Sequence, residues 1–196
     1  MPVDNDISGR LALVTGASGG IGSACARDLA AQGVRLALTY STGKDALAGL
    51  IDELRQRYPT LEVSGHQCNV ANEADMQRTF DEIKQAHSQH PDILVANAGY
   101  GKRVSNILDI SLDEWDYTIN VNLRSSFILT KLAVPHMLEQ GWGRLPRRGS
   151  KLNMMLSASR TMHLYYLNRS GGHIYQWLPL QRFKSWCAGH GKEPRE

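Results

Sequence analysis

Leu13-Val-Thr-Gly-Ala-Ser-Gly-Gly-Ile-Gly22 is the stretch that decides the fold. An apolar strand, Arg10 to Thr15, runs into the turn Thr15-Gly16-x-x-x-Gly20-x-Gly22, and a helix follows over Ile21 to Ala31 with Ile21, Cys25 and Leu29 on one face. Gly16 permits a tight turn, Gly20 removes side-chain bulk where a phosphate approaches backbone N–H groups, and Gly22 lets the helix sit close on the strand. The helix N-terminus then turns its positive dipole end toward the anion. Strand, glycine turn and helix in this order predict a dinucleotide pyrophosphate site whose loop comprises Gly16, Ser18, Gly20, Ile21 and Gly22.

Outward from the loop, strand-like runs at Leu11 to Val14, Val34 to Thr39, Leu61 to Gln67 and Ile93 to Ala96 alternate with amphipathic segments. Such alternation means βαβ units, so the expected class is α/β: a Rossmann-type, doubly wound parallel sheet. Asp45 to Tyr58 places Leu47, Leu50, Ile51 and Leu54 on one stripe and is a surface helix. Ser111-Leu-Asp-Glu114 is a capping box that opens a long helix, and Gly141 and Gly143 stop it. After Gly143 the alternation ends. The sheet is therefore expected to be C-terminally incomplete, with a dinucleotide-binding domain over residues 1–143 and an aberrant, poorly ordered tail over 144–196.

Three motifs carry a family likeness over residues 8 to 143: the Thr-Gly-x-x-x-Gly-x-Gly turn, Asn97-Ala98-Gly99 after a fourth strand, and Trp115-Asp-Tyr-Thr-Ile-Asn-Val-Asn-Leu-Arg-Ser-Ser-Phe127. In this order and spacing they resemble the short-chain dehydrogenase/reductase family, with most similarity to 3-oxoacyl-thioester reductases. The resemblance implies an oxidoreductase that reduces a carbonyl to an alcohol, with a small-molecule substrate and, in intact members, oligomerisation. It also implies four catalytic groups: Tyr and Lys in Tyr-x-x-x-Lys, a Ser and a helix Asn. Only the Asn has a counterpart, Asn122, and a polar residue stabilising a kinked helix is the other reading of it. Tyr165, Tyr166 and Tyr175 are followed four positions later by Arg169, Ser170 and Pro179, and no motif marks Ser157 or Ser159 as the catalytic Ser.

Cofactor choice is read at the end of the second strand. Thr39-Tyr-Ser-Thr-Gly-Lys44 holds no acid to accept bonds from a ribose 2′-hydroxyl, whereas Ser41, Thr42 and Lys44 suit a 2′-phosphate, so NADP(H) is favoured over NAD(H). Gly19 stands where NADP-binding relatives often carry Arg or Lys. By the same resemblance Asn69 and Val70 adjoin adenine, and Asn97, Ala98 and Gly99 line the cofactor floor.

With 42% hydrophobic and 21% charged residues the composition is that of an ordinary globular domain. No apolar run reaches the roughly 18 residues of a membrane span, and no basic leader is present, which points to the cytosol. Cys25, Cys68 and Cys187 form neither a disulfide framework nor a metal cluster, and His87 with His90 reads as a solvated surface pair rather than a metal site. Charge divides sharply at Gly143: residues 1–143 hold 12 basic and 17 acidic side chains, residues 144–196 hold 10 and 2. The basic side chains of the tail show no helical stripe, so neither nucleic acid nor membrane is expected as a partner.

A shifted reading frame accounts for the break. Read one base later, the codons of Trp177 and Trp186 both give Gly, and Leu180 to Cys187 permit Tyr-x-x-Ser-Lys-Ala-Gly, the family's catalytic segment. A single-base deletion after Arg144 is ruled out, since Met154-Met155 shifted by one base reads as a stop. A retained intron between about Arg144 and Gly171 would explain both the basic stretch and the shift; a genuinely divergent tail is the alternative. The expectation is a catalytically impaired form of an NADP(H)-dependent reductase, set against a non-enzymatic NADP-binding or regulatory protein.

Overall fold

The computed structural model describes residues 7–145 and the backbone of 162–163. Six parallel strands, β1 (Leu11–Val14), β2 (Arg35–Tyr40), β3 (Val63–Gln67), β4 (Ile93–Val95), β5 (Gly143–Arg144) and β6 (Met162–His163), stand in the order β3-β2-β1-β4-β5-β6. Helices α1 (Gly20–Ala31), α2 (Lys44–Arg57), α3 (Glu73–His87) and α5 (Ser125–Glu139) cover its two faces, and α4 (Leu112–Ile119) leads into α5. This is the doubly wound order, and the chain reverses direction across the sheet between β1 and β4, where ligands of such folds bind.

β1 shows why both faces must be covered. Ala12 and Val14 enter one core with α1 and α2, Leu11 and Leu13 the other with Met76, Phe80 and Ile83 of α3 and Leu129 of α5, and all four β1 residues are fully buried. On α2 the expected stripe holds, with Leu47, Leu50 and Leu54 buried. On α1 it does not. Ile21 is 45% exposed, and the buried face is Gly22, Ala26 and Ala30. The helix lies too close to the sheet for large side chains: a Cβ on Gly22 would stand 2.4 Å from the Gly16 carbonyl oxygen. A bidentate pair, Arg27 to Glu53 at 2.7 Å, ties α1 to α2 on the outside.

The long C-terminal helix is interrupted. Between α4 and α5, Asn120–Arg124 form a π-helical turn, an insertion that widens the ladder by one residue. Ser111 caps α4 as expected, its Oγ accepting the Glu114 N–H at 3.2 Å. The reciprocal half of the capping box is missing, because the Glu114 carboxylate turns to the Tyr100 hydroxyl and Lys102. Just past α5, Gly141 with a φ of +64° lets the Trp142 N–H reach back to the Met137 carbonyl. Gly143 then enters β5, so regular pairing crosses the boundary set at that residue. Ser157, Ser159, Tyr165, Tyr166, Tyr175 and the shifted-frame segment lie outside the described residues.

His87 is corrected by the structure. It is buried and bonded to Ser64 rather than solvated. No helix among the described residues is long and apolar enough to cross a membrane, and among them no group of three His, Cys, Asp or Glu is placed to hold a metal ion.

Candidate functional site

At the C-terminal ends of β1, β2 and β4 the glycine turn is held by two threonines. Thr15 Oγ1 accepts the N–H groups of Asn97 and Ala98, each at 3.0 Å, and donates to the Val95 carbonyl. Thr39 Oγ1 accepts the Gly16 N–H at 3.2 Å, while its carbonyl accepts Ala17 N–H at 2.8 Å. Both threonines are buried, and neither was predicted as a site residue. A short hydroxyl side chain closing each strand was the signal available for them.

Asn97 completes the clasp. Its Nδ2 donates to the carbonyls of Thr15 at 2.9 Å and Gly16 at 3.3 Å, and its buried Oδ1 has no partner. A buried amide oxygen left unpaired is costly unless a ligand donor meets it. Gly16, at φ +65°, has no room for a Cβ, which would meet Ala98 Cα at 3.0 Å. Gly22 is excluded by the clash already described. Gly20 differs from both: a Cβ there would meet no protein atom within 4 Å. Packing within the chain gives no reason for glycine at that position, and the space beside the uncapped helix end is open. α1 suits a phosphate group, since of α1 to α4 it alone has neither a side-chain cap nor an acid in its first turn.

Of the other predicted residues, Ser18 and the segment after β2 lie beside the turn, and Asn69 and Val70 follow β3. Ser18 abuts Gly43, where a Cβ would lie 3.0 Å from its Oγ, so Ser18 and the Ser41-Thr42-Gly43-Lys44 segment form one wall. Lys44 and Thr42 are exposed, and the Ser41 carbonyl accepts from Gln67 Nε2 at 3.2 Å. Val70 is buried. Asn69 is exposed; its Oδ1 accepts the Ala71 N–H, and its own N–H is held at 3.1 Å by Asp75. That bond, with Arg78 adding to it, keeps the Asp75 carboxyl below the usual carboxylate range.

Asn122 sits in the π-turn and grips the loop after Gly99. Its Oδ1 accepts the Tyr100 N–H at 3.1 Å, and its Nδ2 donates to the carbonyls of Tyr100 at 2.8 Å and Thr118 at 2.9 Å. Both amide hydrogens are thus committed to backbone. One lone pair of Oδ1 remains for a water. Gly99 fits beneath it, since a Cβ would come within 3.0 Å of that oxygen. Among the described residues Tyr40 and Lys44 have the Tyr-x-x-x-Lys spacing, but Tyr40 closes β2 and Lys44 opens α2, so no helical turn brings them together.

Comparison with known proteins agrees with this geometry. The short chain dehydrogenase family model matches residues 10–162, past the last motif read from the sequence. The D-beta-hydroxybutyrate dehydrogenase of Cupriavidus necator is 33% identical over 160 residues, covering 81% of this chain and 59% of the relative. A 3-oxoacyl-acyl-carrier-protein reductase of Aquifex aeolicus is 34% identical over 139 residues, 71% of this chain and 54% of the relative. Among solved structures, the L-sorbose reductase of Gluconobacter frateurii, complexed with NADPH and L-sorbose, superposes with a TM-score of 0.68 at 26% identity, covering 74% of this chain and 54% of that one. A metagenomic short-chain oxidoreductase in complex with NADP gives 0.68 at 30% identity, covering 79% and 68%. The chain belongs to the short-chain dehydrogenase family, whose members are oxidoreductase enzymes. It spans little more than half the length of the curated relatives named here.

Proposed function

We propose that the crevice between β1 and β4 binds NADP(H) and that the chain derives from a reductase of small ketones or 3-oxoacyl thioesters. The observation that carries the reading is Gly20, a glycine that internal packing does not require, at the uncapped N-terminus of α1. When bound, the nicotinamide supplies the hydride. The chain's own residues bind and orient: the Gly16 to Gly22 backbone and α1 hold the pyrophosphate, Asn97 Oδ1 accepts a ribose hydroxyl, and Ser18, Ser41, Thr42 and Lys44 face the 2′-phosphate. Relatives of both the sorbose-reductase and the metagenomic type were solved with NADPH or NADP, which supports the 2′-phosphate reading.

The chain as written is a catalytically impaired form. Its described residues supply no Tyr positioned one helical turn before a Lys, and positioned acid-base catalysis is worth about 10²- to 10⁴-fold. A version with residues 145–171 excised and the downstream frame shifted by one base regains NADPH oxidation with a 3-oxoacyl or simple ketone substrate. Equal turnover by the chain as written would overturn the impairment. Cofactor binding is tested separately by NADPH fluorescence titration of wild type against Gly20→Val. Binding is lost in the variant while its thermal unfolding is unchanged; equal affinity would remove the phosphate assignment.

A further inference from the structure

Edge strand β3 carries a polar chain, buried at His66 and His87 and exposed at its ends, that the crevice does not use. Ser64 Oγ lies 2.8 Å from His66 Nε2 and 2.8 Å from His87 Nε2. His66 Nδ1 lies 3.0 Å from Glu82, while His87 Nδ1 faces Glu62 at 3.8 Å and has no hydrogen-bond partner. A hydroxyl owns a single hydrogen, so with His66 as a neutral imidazole the direction of every link follows. Glu82 accepts Nδ1–H of His66, and the bare Nε2 of His66 accepts the Ser64 O–H. Ser64 Oγ in turn accepts Nε2–H of His87, which leaves His87 Nδ1 as a lone pair pointing at a carboxylate. It is the open basic nitrogen of the chain. The Ser64, His66 and Glu82 spacing also matches a nucleophile with its base and orienting carboxylate, but the second imidazole holds the hydroxyl on its other side.

The chain continues toward the crevice. Glu82 accepts Arg78 Nη1 at 2.6 Å, and Arg78 Nη2 donates to the Gln67 carbonyl at 3.0 Å and pairs with Asp75 at 3.2 Å. The other carboxylate oxygen of Asp75 holds the Asn69 N–H. Six side chains, His87, Ser64, His66, Glu82, Arg78 and Asp75, thus stand between Glu62 and the backbone of residues 67–69.

We propose that this chain is an acid-sensitive latch, in which a proton taken up at His87 Nδ1 draws the ring toward Glu62, releases Ser64 and loosens the Gln67 to Asn69 backbone. Cofactor affinity then falls in mild acid; this step rests on the reading of Asn69 as part of the adenine wall. To complete a charge-assisted bond the imidazolium must close on Glu62 by about 1 Å, which its bond to Ser64 opposes. The groups around His87 are Arg35 from β2, Glu62 before β3, His66 on β3, Arg55 from α2 on the Val63 carbonyl, and Glu82 with Arg78 from α3. Burial first and Arg35 next hold His87 below the usual imidazole range, against Glu62, which raises it. The unfolded chain therefore takes up this proton first as pH falls. Stability declines from the ordinary imidazole pKa down to the lowered folded value and levels off below it.

The test follows the Asn69 amide of the full chain by ¹⁵N NMR without cofactor, from about pH 8 to about pH 5, in wild type, His87→Gln and Glu62→Gln. Gln at 87 keeps a donor for Ser64 but takes up no proton. In wild type the Asn69 resonance moves on the acid side; in His87→Gln it stays still, and in Glu62→Gln its midpoint moves to lower pH. NADPH affinity falls about three- to tenfold more in wild type than in His87→Gln over the same range, a difference that removes the titration of the 2′-phosphate itself, whose pKa is about 6. An Asn69 titration unchanged in His87→Gln, or a flat one in wild type, would overturn the latch. Equal acid loss of NADPH affinity in the two proteins would overturn its coupling to the crevice. Failure of NADPH to bind any of the three at any pH sinks the cofactor reading alone, and the Asn69 titration still decides the latch.

Discussion

Between β1 and α3, strands run four to six residues, β1 and β2 are sealed on both faces, and every helix sets a buried row against the sheet. From β4 onward the strands shorten to three, two and two residues, and α4 buries none of its side chains. Leu108 is 85% exposed and Trp115 57%, although the apolar content of that stretch matches the first half. Apolar sequence therefore reports a core only where a partner surface lies opposite it. In the first half the sheet supplies that surface. Around α4 the described residues do not.

Substitutions sharpen this contrast. Phe80→Ala, at 1% exposure under the sheet, costs about 3–5 kcal/mol of unfolding free energy by denaturant titration. Gly22→Val belongs beside it, for the added atoms meet backbone on which α1 and the turn both depend. Asn97→Ala removes donors from the Thr15 and Gly16 carbonyls and costs about 1–3 kcal/mol, with a parallel loss of NADPH affinity. Trp115→Ser, on α4, stays within about 0.5 kcal/mol of wild type. A cost at Trp115 equal to that at Phe80 would break the comparison by showing α4 covered in solution.

What the sequence disclosed follows the same divide. The glycine turn, four strands to within two or three residues, and the α2 stripe were legible because each is a local pattern of spacing. The α1 stripe misled because hydrophobicity favours Ile21 and Leu29, whereas closeness to the sheet favours Gly22, Ala26 and Ala30. Glu114 was assigned to the helix cap, but Tyr100, fourteen residues away, competes for it. His87 looked like a polar helix end, and only β3, folded back beside it, makes it interior. Thr15 and Thr39 were missed for a related cause: their hydroxyls act on backbone 80 and 23 residues distant. Asn122 was found by motif, yet its grip on both sides of Tyr100 is a tertiary fact.

The clasp between Thr15 and Val95 also sets a timetable. β1, β2 and β3 associate across single helical crossovers, whereas the crevice needs β4 beside β1, a closure over 80 residues of chain whose entropy must be met before any bond across it forms. The proposed nucleotide site therefore comes into being late in folding. A cofactor present from the start finds nothing to hold during the early steps, and its effect falls on the reverse reaction, slowing the departure of β4 from β1 rather than hastening its arrival.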